Sequence, residues 1–208
     1  MSQPMNIESF LELAKSRRMV RSYQAEMPSA QAVNNVIEAG RWAPSAYNVQ
    51  PWKFIIIKTQ AQKEQIAAAV EREIARWKEA IPGFAGQVPA YLTNAPVLVA
   101  VVGDKKFNEK LPANRKGASE AKLYYSSMAA AVQNMHLAAA AQGLGTVQFT
   151  VGCEEETQKD LQQIFALAED QEVLYILPLG NPADRASVDD SKRRLPVEQL
   201  CTQETYTK

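Results

Sequence analysis

Three arginines, Arg17, Arg18 and Arg21, stand close together in the stretch Ser16-Arg17-Arg18-Met19-Val20-Arg21-Ser22-Tyr23. On a continuing helix, residues three and four apart are neighbours, which would bring Arg21 beside both Arg17 and Arg18. No acid lies between Ala14 and Gln24 to pair with them. A guanidinium cluster without counter-charge suits a phosphate, which it holds by bidentate hydrogen bonds. At a helix C-terminus the same residues would also complement the dipole. A second cluster is Ala43-Pro44-Ser45-Ala46-Tyr47-Asn48-Val49-Gln50-Pro51-Trp52. Its amides, Asn48 and Gln50, both donate and accept, which suits the N3–H, O2 and O4 edge of a flavin ring. Turn formation accounts for Ser, Asn and Pro there as well. The third cluster is Lys192-Arg193-Arg194-Leu195-Pro196, a run that by itself reads as an exposed basic patch.

Other chemistries find little support. Gly143-Leu144-Gly145 begins like a dinucleotide loop, but Gln148 stands where the third glycine belongs, and the segment joins a helix to a strand rather than a strand to a helix. One histidine and two cysteines exclude a His-rich metal centre and a four-cysteine zinc site. Cys153 follows a glycine near a helix start, where a thiolate is favoured; a small apolar residue at a turn is the better reading. His136, mid-helix among alanines, reads as a satisfied core or interface histidine. No catalytic side chain and no metal ligand is assigned.

The elements that position these clusters follow from composition and pattern. The chain has 208 residues, suited to one domain, and its 23 basic and 23 acidic residues argue against a nucleic-acid or polybasic membrane partner. Apolar residues at 46 % describe a globular chain. The longest apolar run, Ala95–Val102, falls far short of the ~20 residues of a spanning helix. The start, MSQPMNIESF, lacks the features of a signal peptide, so a cytoplasmic protein is expected.

Periodicity predicts helices over Ile7–Arg18, with Phe10, Leu11 and Leu13 on its apolar side, and over Ala30–Trp42, capped by Ser29. Thr59 and Gln62 form a capping-box pattern before a helix to about Ala80. An alanine-rich helix is expected over Ser119–Gln142, closed by Gly143, and another over Glu154–Ala166. Strands are expected at Trp52–Lys58, Val97–Val102, Thr146–Val151 and Val173–Leu179. Together they make a three-layer α/β or α+β domain over residues 1–208. Pro82–Pro96 reads as loop or lid, and Asp104–Lys116 as exposed. Trp77, Phe84, Tyr91 and Phe107 could stack on an aromatic ligand from a lid within Trp77–Lys116, or serve dimer packing. The alanine-rich helix is apolar nearly all round and calls for a second copy to cover it. Leu195–Lys208 reads as an extended arm that could join that partner.

In order and spacing, these segments resemble the FMN-dependent nitroreductase family. Arg17, Arg18, Arg21 and Tyr23 are similar to its RRSxRxF. APSAYNVQPWKFIII resembles APSSxNxQPWxFxVV, AAAVQNMHLAAAAQGLGT resembles AAxQNLxLAAxxxGLGT, and Lys192, Arg194, Leu195 and Pro196 resemble KxRxP. The resemblance implies an α+β homodimer, three-layered around a mainly antiparallel sheet, with FMN between subunits. It implies that Arg17, Arg18 and Arg21, joined by Lys192 and Arg194, hold the phosphate and ribityl end. Pro44, Ser45, Ala46, Asn48 and Gln50 would line the flavin, in part from the other subunit, and the backbone at Val151, Gly152 and Cys153 would lie near the ring. Met19 and Ala46 replace serines of the pattern. The implied activity is ping-pong transfer of hydride or electrons from NAD(P)H to a nitroaromatic, quinone or similar acceptor. The same fold also admits a dehalogenase, an enone reductase, a dehydrogenase or a flavin-binding protein without turnover.

Overall fold

The computed structural model of the chain describes residues 6–117, 119–151, 154–184 and 194–203. At its centre β2 (Val97–Asp104) pairs antiparallel with β1 (Trp52–Ile57) on one side and with β5 (Gln171–Gly180) on the other. The far edge of β5 carries β3 (Gly145–Thr146) and β4 (Phe149–Thr150), also antiparallel. The expected mainly antiparallel sheet is thus present.

Strand β2 is apolar without interruption because helices cover both its faces. Val97, Val99 and Val101 pack toward α2 (Ala30–Arg41) and α5 (Glu120–Ala141). Leu98, Ala100 and Val102 pack toward α3 (Gln60–Ala80) and α6 (Glu155–Phe165). This two-residue alternation builds two cores and three layers. Opposite Val101 and Val102, β5 carries an extra residue, Leu174, and the Leu174 carbonyl accepts the Val151 N–H at 3.1 Å.

Several boundaries differ from the sequence expectation, each for a local reason. The expected strand Thr146–Val151 is divided into β3 and β4. The register is unbroken, Thr146 facing Leu179 and Phe149 facing Ile176, but Pro178 falls within the gap and has no N–H to give a ladder. Helix α1 (Ile7–Ser16) stops short of Arg18, and its apolar side is left open: Phe10 is 42 % and Leu11 46 % exposed. The capping box at α3 is not formed, since Thr59 makes no side-chain cap bond. Ser29, in contrast, caps α2 through Ala32 N at 3.1 Å.

Asp104–Lys116 is not simply exposed. It forms two 3₁₀ turns, and Phe107 and Leu111 anchor it in the α5 core, with Phe107 stacked on Tyr124 at 4.9 Å. Within Pro82–Pro96 a single helical turn, α4 (Tyr91–Asn94), is pinned by the buried Lys63 ammonium, which donates to the carbonyls of Ala95 and Pro96. In the tail, Val197–Leu200 is a helical turn, α7, rather than an extended arm, and Leu195, Val197 and Leu200 are exposed. No helix among the described residues is long and apolar enough to cross a membrane.

Candidate functional site

The arginine segment leaves α1 at Ser16 and turns extended, so Arg17 and Arg18 meet by a route other than a shared helix face. The Arg17 N–H closes α1 on the Leu13 carbonyl at 3.1 Å. Beyond it the Val20 N–H donates to the Thr146 carbonyl at 2.9 Å, making Met19 and Thr146 a parallel bridge to β3. Gly145 permits this approach: a Cβ there would meet the Val20 side chain at 2.6 Å. Further on, Gln24 N donates to Asn181 O, Ala183 N donates to Ser22 O, and the Tyr23 hydroxyl donates to Val20 O at 2.6 Å. The segment is stitched between β3 and the end of β5.

This path closes a pocket of about 250 Å³ beside α5, lined by Arg17, Arg18, Val20, His136, Leu144, Thr146 and the acidic Asp184. Gly143, which ends α5 at φ 75°, lies in the same wall. Among the described residues, the buried Arg17 Nη1 has no hydrogen-bond partner. Burial, then the charges of Arg18 and Arg194, lower the Arg17 pKa. A partly desolvated guanidinium beside two others is a group that a nearby negative charge would relieve. Arg18 turns Nη1 back to the Lys15 carbonyl, and to that of Arg17 at 3.1 Å, so it also serves the helix-end role weighed above. Arg21 does not line this pocket; it faces the other way, where its charge acts on the hydroxyls of Tyr23 and Tyr91. Met19 is exposed. Lys192, Gly152 and Cys153 lie outside the described residues.

His136 was read from the sequence as satisfied, and it is only half so. Its Nδ1 lies 2.6 Å from the Thr146 hydroxyl, but Nε2, buried at the pocket wall, has no partner among the described residues. Burial, aided by Arg17, pushes its pKa down to about 4 and keeps the ring neutral at neutral pH. A neutral imidazole that accepts from Thr146 at Nδ1 presents an N–H at Nε2. The signal available in the sequence was thin: a lone histidine two turns before Gly-Leu-Gly-Thr.

The amide loop occupies another place. Tyr47, Asn48 and Gln50 all hold positive φ, at 52°, 56° and 48°, which is costly for residues with a Cβ. Ser45 Oγ accepts the Gln50 N–H at 3.0 Å, and Ser127 Oγ of α5 accepts the Ala46 N–H at 3.1 Å. Pro44 leads into this turn, and Gln50 Nε2 donates to Asn48 Oδ1 at 3.2 Å, holding the two amides together. Ser127 and His136 are about 13 Å apart along α5 and on opposite sides of it. One chain therefore does not bring the amide loop to the arginine pocket. Val151 is buried and its N–H is already engaged by Leu174.

The Nitroreductase family model matches residues 14–181. The chain belongs to the nitroreductase family. That match spans the arginine segment, the amide loop and α5, while Arg194 lies beyond it. Among relatives of this nitroreductase-family chain, mouse iodotyrosine deiodinase 1 is 28 % identical over 91 % of the chain and 68 % of its own length. A putative NADH dehydrogenase/NAD(P)H nitroreductase of Archaeoglobus fulgidus is 26 % identical over 93 % of the chain and 97 % of its own length. The fold is shared with a putative NADH dehydrogenase/NAD(P)H nitroreductase of Bacteroides thetaiotaomicron, at TM-score 0.72 and 24 % identity, covering 98 % of this chain and 100 % of the other. It is shared equally with an oxidized iodotyrosine deiodinase bound to FMN and 3-iodo-L-tyrosine, at TM-score 0.72 and 24 % identity, covering 94 % and 99 %.

Proposed function

We propose that this nitroreductase-family protein is an FMN-dependent oxidoreductase, working as a cytoplasmic homodimer. It would take hydride from NAD(P)H and reduce a nitroaromatic, quinone or similar small acceptor in ping-pong fashion. The observation that carries this reading is the half-buried Arg17 guanidinium, whose Nη1 is buried without a hydrogen-bond partner among the described residues and which is crowded by Arg18 and Arg194. A terminal phosphate supplies the missing negative charge. Arg17, Arg18 and Arg194 would hold it, with Arg21 and Lys192 adding charge, and the His136 Nε2–H would donate to a phosphate or ribityl oxygen. Met19 can add no hydroxyl there.

When bound, FMN supplies the two-electron chemistry, and the chain supplies position, charge and exclusion of water. Asn48 and Gln50 would meet the ring's imide edge, with Pro44, Ser45 and Ala46 shaping the wall. Since this loop and the arginine pocket sit on opposite sides of α5, the loop would serve the pocket of a second copy. The exposed strip of α5 (Tyr125, Ser126, Ala129 and Gln133) and the uncovered apolar side of α1 are the surfaces such a copy would cover.

Acid precipitation of the purified protein should release FMN, and NADH or NADPH should bleach the yellow protein anaerobically. Release of FAD, or of no flavin after reconstitution, would overturn the cofactor; bound FMN that neither nucleotide bleaches would make this a flavin-binding protein without turnover. A second reading, reductive dehalogenation, is favoured by the deiodinase relatives. Reoxidation of the reduced protein by 3-iodo-L-tyrosine, with release of iodide, but not by a nitroaromatic, would decide for it.

A further inference from the structure

On the opposite side of the sheet from the arginine pocket lies a second cavity, of about 160 Å³, enclosed by α3, β4 and the loop 84–89. Its walls are mostly apolar: Val70, Ile74, Trp77, Phe84, Pro89 and Phe149. Trp77 and Phe84 meet edge to face, with ring centroids 5.5 Å apart. One lining group does not belong in such a place. Glu73 is 2 % exposed, and its buried Oε1 has no hydrogen-bond partner among the described residues.

The nearby charges do not neutralise it. Arg76, one turn along α3, gives Nε to Glu154 Oε2 and Nη2 to Thr157 Oγ1, both at 2.8 Å. Burial and the Glu154 carboxylate therefore raise the Glu73 pKa, and Arg76 opposes them only in part. A buried carboxylate is retained at a cost unless something pairs with it. Here the space beside it is apolar and shaped for a ring: a cavity of about 150 Å³ accepts a benzene-sized body. Trp77 and Phe84 add aromatic faces, which favour a cation.

We infer that this cavity binds a small organic ammonium ion carried on a single ring, with Glu73 as its counter-charge. The ring fills the space between Val70, Ile74 and Phe149, and the ammonium donates to Glu73 Oε1. Entry is past the loop 84–89, whose Phe84 packs on Trp77. The site does not rest on the flavin reading: it shares no residue with the arginine pocket.

Benzylamine is the probe, titrated calorimetrically into the protein as purified, with benzyl alcohol as its neutral counterpart and benzoate as its anionic one. Benzylamine should saturate one site per chain, bind at least about tenfold more tightly than benzyl alcohol, and leave the visible spectrum of any bound flavin in place; benzoate should not bind. Glu73→Gln should erase the preference for amine over alcohol, and Val70→Phe, which fills the cavity, should abolish binding of both. Should Glu73→Gln fail to fold, the wild-type preference and the Val70→Phe result still decide. The inference is overturned by absence of saturable benzylamine binding, by a preference that survives Glu73→Gln, by binding that survives Val70→Phe, or by benzylamine that displaces flavin instead of leaving it bound.

Discussion

The two helical layers that cover the sheet finish differently at their outer surfaces. Layer α3/α6 shows Glu64, Glu71, Lys78, Glu155 and Lys159 to water, and Arg72–Asp160 at 2.8 Å joins the two helices. Layer α2/α5 ends on a helix that, from Tyr125 to Ala141, contains no Asp, Glu, Lys or Arg. Its outer residues include Tyr125, Ala129, Gln133 and Ala141, all exposed, with the uncovered Phe10 and Leu11 of α1 nearby. A layer that ends in charges is complete in water, whereas one that ends in alanines is suited to further packing. The orphaned polar groups differ in the same sense. Among the described residues, Arg17 Nη1 and His136 Nε2 lack a partner beside the pocket on the α5 side, and the Glu73 carboxylate oxygen Oε1 lacks one beside the pocket on the α3 side.

The sharpest way to break this contrast is a charge on each layer. Ala129→Glu on α5 should cost the proposed dimer about 3–5 kcal/mol for each buried, unpaired carboxylate, and a twofold interface contains two. Sedimentation should then show monomer, with loss of flavin, while Gln65→Glu on the exposed face of α3 changes neither. A flavin-saturated dimer of the Ala129→Glu variant would remove α5 from the interface.

Next in size is the pair Phe107→Ala and Phe84→Ala. Phe107 is 5 % exposed in the α5 core and should cost about 3–5 kcal/mol in urea unfolding. Phe84 is only half buried beside the Glu73 cavity and should cost less. Equal losses would mean that the 3₁₀ turns after β2 are not anchored as described.

The α5 pocket should also show itself in acid. His136 is held at about 4 against an ordinary 6.5, so as pH falls the unfolded chain takes up the proton first. Flavin-free protein should therefore lose stability as pH drops from about 6.5 to about 4, by about 3 kcal/mol from this group. His136→Gln should flatten that slope; an unchanged slope would assign it to other groups.

The smallest effect concerns the arginines. Arg17→Ala should weaken FMN binding by ~1.5–3 kcal/mol, the scale of a hydrogen bond to a charged group, and Arg21→Ala by less. Fluorescence titration of flavin-free protein measures both. Equal weakening would show that Arg21 reaches the same anion after all.

Much of this architecture was legible because it depends on near neighbours. The apolar strand at Val97–Val102, the Ser29 cap and the Gly143 stop each need only a few adjacent residues, and all three stand as read. The break between β3 and β4 was not legible, because its reason, Pro178, sits on the strand opposite. The core role of Phe107 was hidden for a similar reason: in a charged stretch it reads as a lid or dimer aromatic until Tyr124 is found beneath it.

By itself the sequence determined the kinds of groups available, their order, and the family to which that order belongs. The tertiary structure alone decided which of them are buried and what they meet. Arg17, Arg18 and Arg21 are equal as letters, yet hydrogen bonds to Thr146 and Asn181 carry the segment along an extended path that puts two of them in the pocket and turns the third away. Glu73 is one of several acids in α3, and only packing by Trp77, Phe149 and a committed Arg76 cuts it off from water and from a cation. Periodicity is a property of neighbours along the chain. Desolvation and the pairing of charges depend on residues brought together from far apart, and so they appear only once the chain has folded.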